Sequence, residues 1–207
     1  PDHDILAEEL GGPVGGGRSR YRWIVDPLDG TTNFAHGLSL FCSTVALEVD
    51  GRLEVGAVYD PTRDELFTAE RGRGAFLNGR RLRVSSADRL IDALLVTGFP
   101  YTVQERLPEL LGLFGAFLAK ARAVRRLGSA ALDICYVAAG RMDGFWEQGL
   151  NPWDIAAGVL LVEEAGGRVT SLDGGPFDLR SGRIVASNGL VHDQMLDVIR
   201  DFYASRS

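Results

Sequence analysis

Apolar and polar positions change their period several times along this 207-residue chain, and each change predicts an element. Tyr21 to Asp26 reads YRWIVD, a β-branched and aromatic run that predicts a strand with Asp26 at its C-terminal edge. Upstream, the apolar pair Ile5-Leu6 precedes Glu8 and Glu9, which predicts a strand end that brings one of these acids to a cleft. Between them Gly11, Gly12, Gly15, Gly16 and Gly17 crowd around Pro13, a composition that predicts a loop with no regular element. From Phe41 to Val84 extended segments alternate with the turn signals Asp50-Gly51, Asp60-Pro61, Gly72 to Gly74 and Asn78-Gly79, as in an antiparallel meander.

Beyond residue 100 the period becomes helical. Leu107, Leu110, Leu111, Phe114 and Leu118 predict an amphipathic helix over Gln104 to Ala119. Ser129 is placed to cap a second helix, ALDICYVAA, which Gly140 ends. After a strand at Met142 to Glu147, Asn151-Pro152 opens a third helix, WDIAAGVLLVEEA, that is apolar almost all round and therefore predicted to be buried. Strands at Arg168 to Ser171 and Arg183 to Ser187 precede a terminal helix from His192 to Tyr203. This succession predicts a single-domain α/β protein, an α+β layered sandwich, with residues 1–120 as a meander half and 121–207 as a mixed half.

Composition narrows the class. Hydrophobic residues make up 45% and charged residues 24%, which favours neither a disordered nor a membrane protein. A net charge of −6 repels nucleic acid and anionic lipid, so neither partner is expected. It repels phosphate esters too, so a phosphorylated ligand needs a local reversal of sign, which a group of divalent cations supplies. Cys42 and Cys135 lie in apolar runs without metal-ligand spacing, as buried reduced thiols do, which points to a cytoplasmic location.

The sharpest local feature is DPLDGTTNF, Asp26 to Phe34. At a strand end Asp26 points into a cleft, Pro27 stiffens the turn, Leu28 offers its carbonyl, and Asp29 returns a second carboxylate to the same side. These are the hard oxygen donors that Mg²⁺ prefers. Gly30 permits close backbone approach, and Thr31 and Thr32 begin a helical turn whose free N–H groups suit phosphate oxygens. Asp154 is locally ambiguous: after Asn151 and Pro152 it fits an ordinary first-turn acid, favoured by the helix dipole. Glu8, Glu9 and Glu147 taken singly read as ordinary acids near strand ends.

The combination of AEE at 7–9, WIVDPLDGTTNF at 23–34 and PWDIAAGVLLVEEAGG at 152–167 resembles the inositol monophosphatase family, and LGSAALDICYVAAGRMDGFWE at 127–147 and GGPFDL at 174–179 extend the likeness in the same order. The resemblance implies an inositol monophosphatase/fructose-1,6-bisphosphatase-like αβαβα fold, here lacking the N-terminal helices. It implies two to three Mg²⁺ ions: Glu8, Asp26 and the Leu28 carbonyl on one, Asp26, Asp29 and Asp154 on a second, and Glu8 facing a third. Gly30 and Thr31 match the phosphate-binding backbone, while Asp29, Ala130 and Glu147 match positions that touch the alcohol, beside Asp154. Thr31, Asp29 and Glu8 carry the catalytic roles, with Glu9 as the alternative to Glu8 because AEE stands where GEE is commoner.

Relatives of that family carry further residues ahead of this motif, including an acid that works with the motif threonine on the attacking water. The chain instead begins Pro1-Asp2-His3, so either it is a fragment or that pair is incomplete. The implied activity is Mg²⁺-dependent hydrolysis of a small phosphate monoester by activated water, with inositol 1-phosphate or another polyol or sugar phosphate foremost. Histidinol phosphate and fructose 1,6-bisphosphate are alternatives, nucleotide substrates rank last, and a regulatory binding protein on the same fold is the non-enzymatic reading. The resemblance also implies a homodimer and inhibition by Li⁺.

Overall fold

The computed structural model describes residues 2–10, 12–14 and 19–206, the side chains of 12–14 excepted. Among the described residues, two sheets and five α-helices form four layers. The first sheet contains β1 (Asp4–Ala7), β2 (Gly12–Val14), β3 (Tyr21–Asp29), β4 (Cys42–Val49), β5 (Arg52–Asp60), β6 (Glu65–Glu70), β7 (Gly74–Leu77) and β8 (Arg80–Arg81). Their spatial order is β2-β1-β3-β4-β5-β6-β7-β8, so from β3 onward each strand pairs with its neighbour in sequence, as the turn signals predict. Asp50 and Asn78 take positive φ ahead of Gly51 and Gly79, the backbone that tight hairpins require.

The second sheet contains β9 (Leu94–Thr97), β10 (Ala123–Arg125), β11 (Gly144–Gln148), β12 (Arg168–Thr170) and β13 (Arg183–Ser187), in the order β10-β9-β11-β13-β12. The helices are α1 (Thr31–Ala35), α2 (Leu107–Leu118), α3 (Ala130–Ala138), α4 (Pro152–Glu164) and α5 (His192–Ala204). α3 and α4 lie between the sheets; α2 and α5 cover the far side of the second sheet. The central core joins Ile24, Val58 and Phe67 of the first sheet to Leu160 of α4, Ile134 of α3 and Phe145 of β11. α4 is buried from Ile155 to Val162, as its all-round apolar sequence predicts. Gly56 lets β5 approach it so closely that a Cβ there would stand 3.0 Å from the Ala157 Cα.

Four sequence expectations need correction. Gly12–Val14 is not loop: it pairs antiparallel with Ile5 to Ala7, because backbone hydrogen bonds along a sheet edge need no side chains. Gly11 and residues 15–18 lie outside the described residues. β9 and β10 were not foreseen, since three- and four-residue strands between helices carry too short a pattern to register. The division at residue 120 also shifts: β9 joins the second sheet and α2 packs on α5, so the mixed half begins by Leu94. Finally, α2 starts at Leu107 after a 3₁₀ turn over Val103–Arg106, and its buried face is Leu110, Leu113 and Phe117, while Leu107, Leu111 and Leu118 are exposed. Phe117 wins that face by stacking on Trp146, ring centroids 3.9 Å apart.

Candidate active site

β3 runs past its parallel pairing with β1, which ends at Val25. Its register with β4 breaks between Asp26 and Asp29, and this irregularity puts both carboxylates in one cleft. Asp26 is buried and accepts the Leu28 N–H at 2.8 Å, a turn closed by its own side chain. Asp29, also buried, is gripped from α3: Ser129 Oγ donates to it, as does Ala131 N at 3.0 Å, and Cys42 Sγ lies 3.8 Å away. Ser129 therefore works twice, since its hydroxyl also accepts the Leu132 N–H as the N-cap of α3.

Asp154 arrives from the other side on the first turn of α4. Its Oδ2 accepts the Asn151 N–H at 2.7 Å in a capping box, so the ordinary helix-cap reading of the sequence is correct. It is also incomplete, because ligand atoms of Asp26, Asp29 and Asp154 lie within 4.8 Å of one another. Glu8 lies in a 3₁₀ turn after β1 and lines the same cleft while remaining exposed; Glu9 is not among the lining residues. Leu28, Gly30, Thr31, Ala130 and Glu147 line it as well.

Gly30 has φ +85°, and a Cβ there would stand 2.8 Å from the Leu40 carbonyl oxygen, so the turn into α1 accepts glycine alone without strain. Thr31 donates its hydroxyl to the Leu28 carbonyl at 2.9 Å, which leaves its oxygen lone pairs free. Asn33 anchors this turn to the α3 approach, donating to the Leu40 and Leu127 carbonyls, each at 2.8 Å.

Electrostatically the cleft is strongly acidic. Burial, reinforced by Asp29, Glu8 and Asp154, pushes Asp26 up to about 8 against the Leu28 hydrogen bond. Burial likewise lifts Asp154 to about 7 and, with Asp29 and Asp154 nearby, Glu147 to about 8. Asp29 is raised by burial although four donors, Ser129, Ala131, Cys42 and Gly30, oppose the shift. Carboxylates so crowded take up protons or cations, and oxygen-only donors at this spacing fit Mg²⁺.

Two residues of the cleft escaped the sequence reading. Asp133 of α3 is buried at 1% exposure with neither oxygen hydrogen-bonded among the described residues, and burial holds its carboxyl well above the usual range. Its helical position among apolar neighbours was the one available signal: an acid predicted to face a core. Arg126 is the one basic side chain lining the cleft among the described residues, and it lowers both Asp133 and Glu147.

A layered α/β fold with three carboxylates converging where a strand end meets a helix N-terminus has the donor set of a divalent-cation site. Comparison with known proteins narrows that class. The family model described as Inositol monophosphatase family matches residues 1–203. An inositol-1-monophosphatase from Mesorhizobium japonicum is 49% identical over 206 residues, 100% of this chain and 77% of that protein. The Nus factor SuhB of Haemophilus influenzae is 50% identical over 200 residues, 97% of this chain and 74% of its own. The structure of an inositol monophosphatase from Anabaena superposes with a TM-score of 0.94 at 46% identity, covering 97% of this chain and 79% of that one. The chain belongs to the inositol monophosphatase family, whose members depend on Mg²⁺.

Proposed function

We propose that the chain hydrolyses a small phosphate monoester, with a polyol or sugar phosphate such as inositol 1-phosphate as the substrate class. The observation that carries this reading is the convergence of Asp26, Asp29 and Asp154 within 4.8 Å, beside the glycine turn at Gly30. Glu8, Asp26 and the Leu28 carbonyl would hold one Mg²⁺, Asp26, Asp29 and Asp154 a second, and Glu8 would face a third. Mg²⁺ held there supplies the positive charge that attracts the phosphate, acidifies the attacking water and neutralises the leaving alkoxide.

The remaining work falls to the chain. The backbone at Gly30 and Thr31 holds phosphate oxygens. Because the Thr31 hydroxyl proton is committed to Leu28, its oxygen can only accept, which orients the water by one of its own protons. Glu8 and Asp29 shape the charge around the reacting groups, and Asp29, Ala130 and Glu147 meet the alcohol, with Asp154 at its edge. Asp29 has little freedom to move, being fixed by Ser129 and Ala131. Attack by water in line needs no phosphorylated enzyme. Turnover in H₂¹⁸O should put one labelled oxygen into the phosphate, and a trapped phosphoenzyme would refute this route.

The alternative substrates, histidinol phosphate and fructose 1,6-bisphosphate, are separated from polyol phosphates by kcat/KM across a panel of monoesters. A regulatory role is the second reading, favoured by relatives named Nus factor SuhB at the same level of identity as the enzyme. Release of phosphate that requires Mg²⁺ supports the enzyme; absence of release from every monoester, with the protein folded and loaded with Mg²⁺, supports the regulatory role.

A further inference from the structure

A second cavity, about 480 Å³, lies along α4 on the first sheet's helix-facing side. Ile24 and Leu53 of the sheet, Val159 of α4, and Phe177 and Leu179 of the GGPFDL segment give it apolar walls. It reaches Pro152, the first residue of α4, so the helix turn that presents Asp154 to the cleft separates the two cavities.

Its charge is opposite to that of the cleft. Arg22, Arg52, Arg71 and Arg180 line it against Glu48, Glu163 and Asp178, a positive surplus in a chain of net charge −6. Arg22 pairs with Glu48 at 3.1 Å and Arg71 with Glu163 at 3.1 Å, and Arg71 Nε also donates to the Leu53 carbonyl at 2.6 Å. The donors nevertheless outnumber the acceptors. Arg22 Nε is buried without a protein partner, Arg52 reaches only Glu54 at 3.7 Å, and Arg180 has no ion pair among the described residues. A buried N–H left without an acceptor is costly, and guanidinium forks match phosphate and carboxylate oxygens in geometry as well as charge.

We propose that this cavity binds a small molecule carrying a phosphate or carboxylate group on an apolar body, with Arg22, Arg52 and Arg180 meeting the anion and the Phe177–Leu179 wall meeting the body. The site is separate from the hydrolytic cleft and its occupation does not depend on Mg²⁺. That independence makes it testable, because without cations the acids of the cleft repel the same anion.

Calorimetric titration of the metal-free protein in EDTA with phenyl phosphate, benzoate and phenol reads it directly. Binding of either anion with Kd on the order of 1 mM is expected, with phenol at least about tenfold weaker; which anion binds better identifies the head group. Arg52→Ala with Arg180→Ala, both exposed side chains, should weaken the anion about tenfold, and Asp26→Asn should leave it unchanged. No heat from either anion up to about 10 mM, equal binding of phenol, or an affinity that survives the arginine pair and falls with Arg126→Ala would overturn the proposal.

Discussion

On one wall of the cleft Asp26, Asp29 and Asp154 each accept a fixed backbone hydrogen bond, from Leu28, Ala131 and Asn151. On a second wall Glu147 takes the Gly98 backbone, and Asp133 takes no donor among the described residues. Both walls are buried and both raise carboxyl pKa values, yet they differ in what holds the groups in place. Fixed donors orient the first set without neutralising it, so its unmet need is for cations. The second set has little to offset desolvation, so its unmet need is for a proton or a hydrogen-bond donor, which an alcohol supplies.

The difference is most directly broken at Asp26. Asp26→Asn removes the carboxylate shared between both proposed ion positions, and Mg²⁺-dependent turnover should fall on the order of a thousandfold; near-normal kcat at low Mg²⁺ would assign the cations elsewhere. Titration gives the next test. Asp26 (3.8 to about 8), Asp154 (3.8 to about 7) and Glu147 (4.5 to about 8) bind protons more tightly folded than unfolded, so their stabilising contribution is full below pH 4 and lost as pH rises to 8. His192, lowered from 6.5 to about 4 by burial, acts oppositely and only below 6.5. Metal-free protein should therefore lose Tm steadily from pH 6.5 to 8, and saturating Mg²⁺ should reduce that slope by binding the deprotonated acids of the first wall, leaving the share that Glu147 contributes.

Smaller effects sharpen the contrast. Gly30→Ala forces a side chain onto φ +85° and against the Leu40 carbonyl, and should cost about 1–3 kcal/mol in thermal or urea unfolding. Glu147→Gln should raise KM for a polyol phosphate roughly tenfold with less change in kcat, since in the proposed arrangement Glu147 meets the alcohol and not the reacting phosphorus. Asp133→Asn should do least, slightly raising the urea midpoint of the metal-free protein at pH 8, because the amide does not favour the unfolded state by ionising there. A loss of stability in that variant would mean that the Asp133 carboxyl has a partner that the amide cannot replace.

The same two walls explain what could be read in advance. Asp26 and Asp29 were legible because strand, turn and carboxylates are contiguous, and Gly30 and Thr31 follow within the same nine residues. Ser129 was legible as a helix cap, but its grip on Asp29, 100 positions away in sequence, was not. The α2 face was misjudged for a related reason: a leucine-rich helix offers several apolar stripes, and only Trp146 on a distant strand selects the one through Phe117. β2 shows the reverse error, in which glycine and proline hid a strand that its neighbour stabilises.

By itself the sequence determined the meander, the buried α4, the capped α3 and the DPLDGTTNF turn, because each depends on contacts within a few residues or on one alternating or helical period. Tertiary structure alone decided that Asp154 is both a helix cap and one of three converging carboxylates, and that Asp133 lies in the wall without a hydrogen-bond partner among the described residues. Burial and like-charge proximity arise between segments far apart in the chain, and they turn ordinary acids into a site whose charge calls for cations.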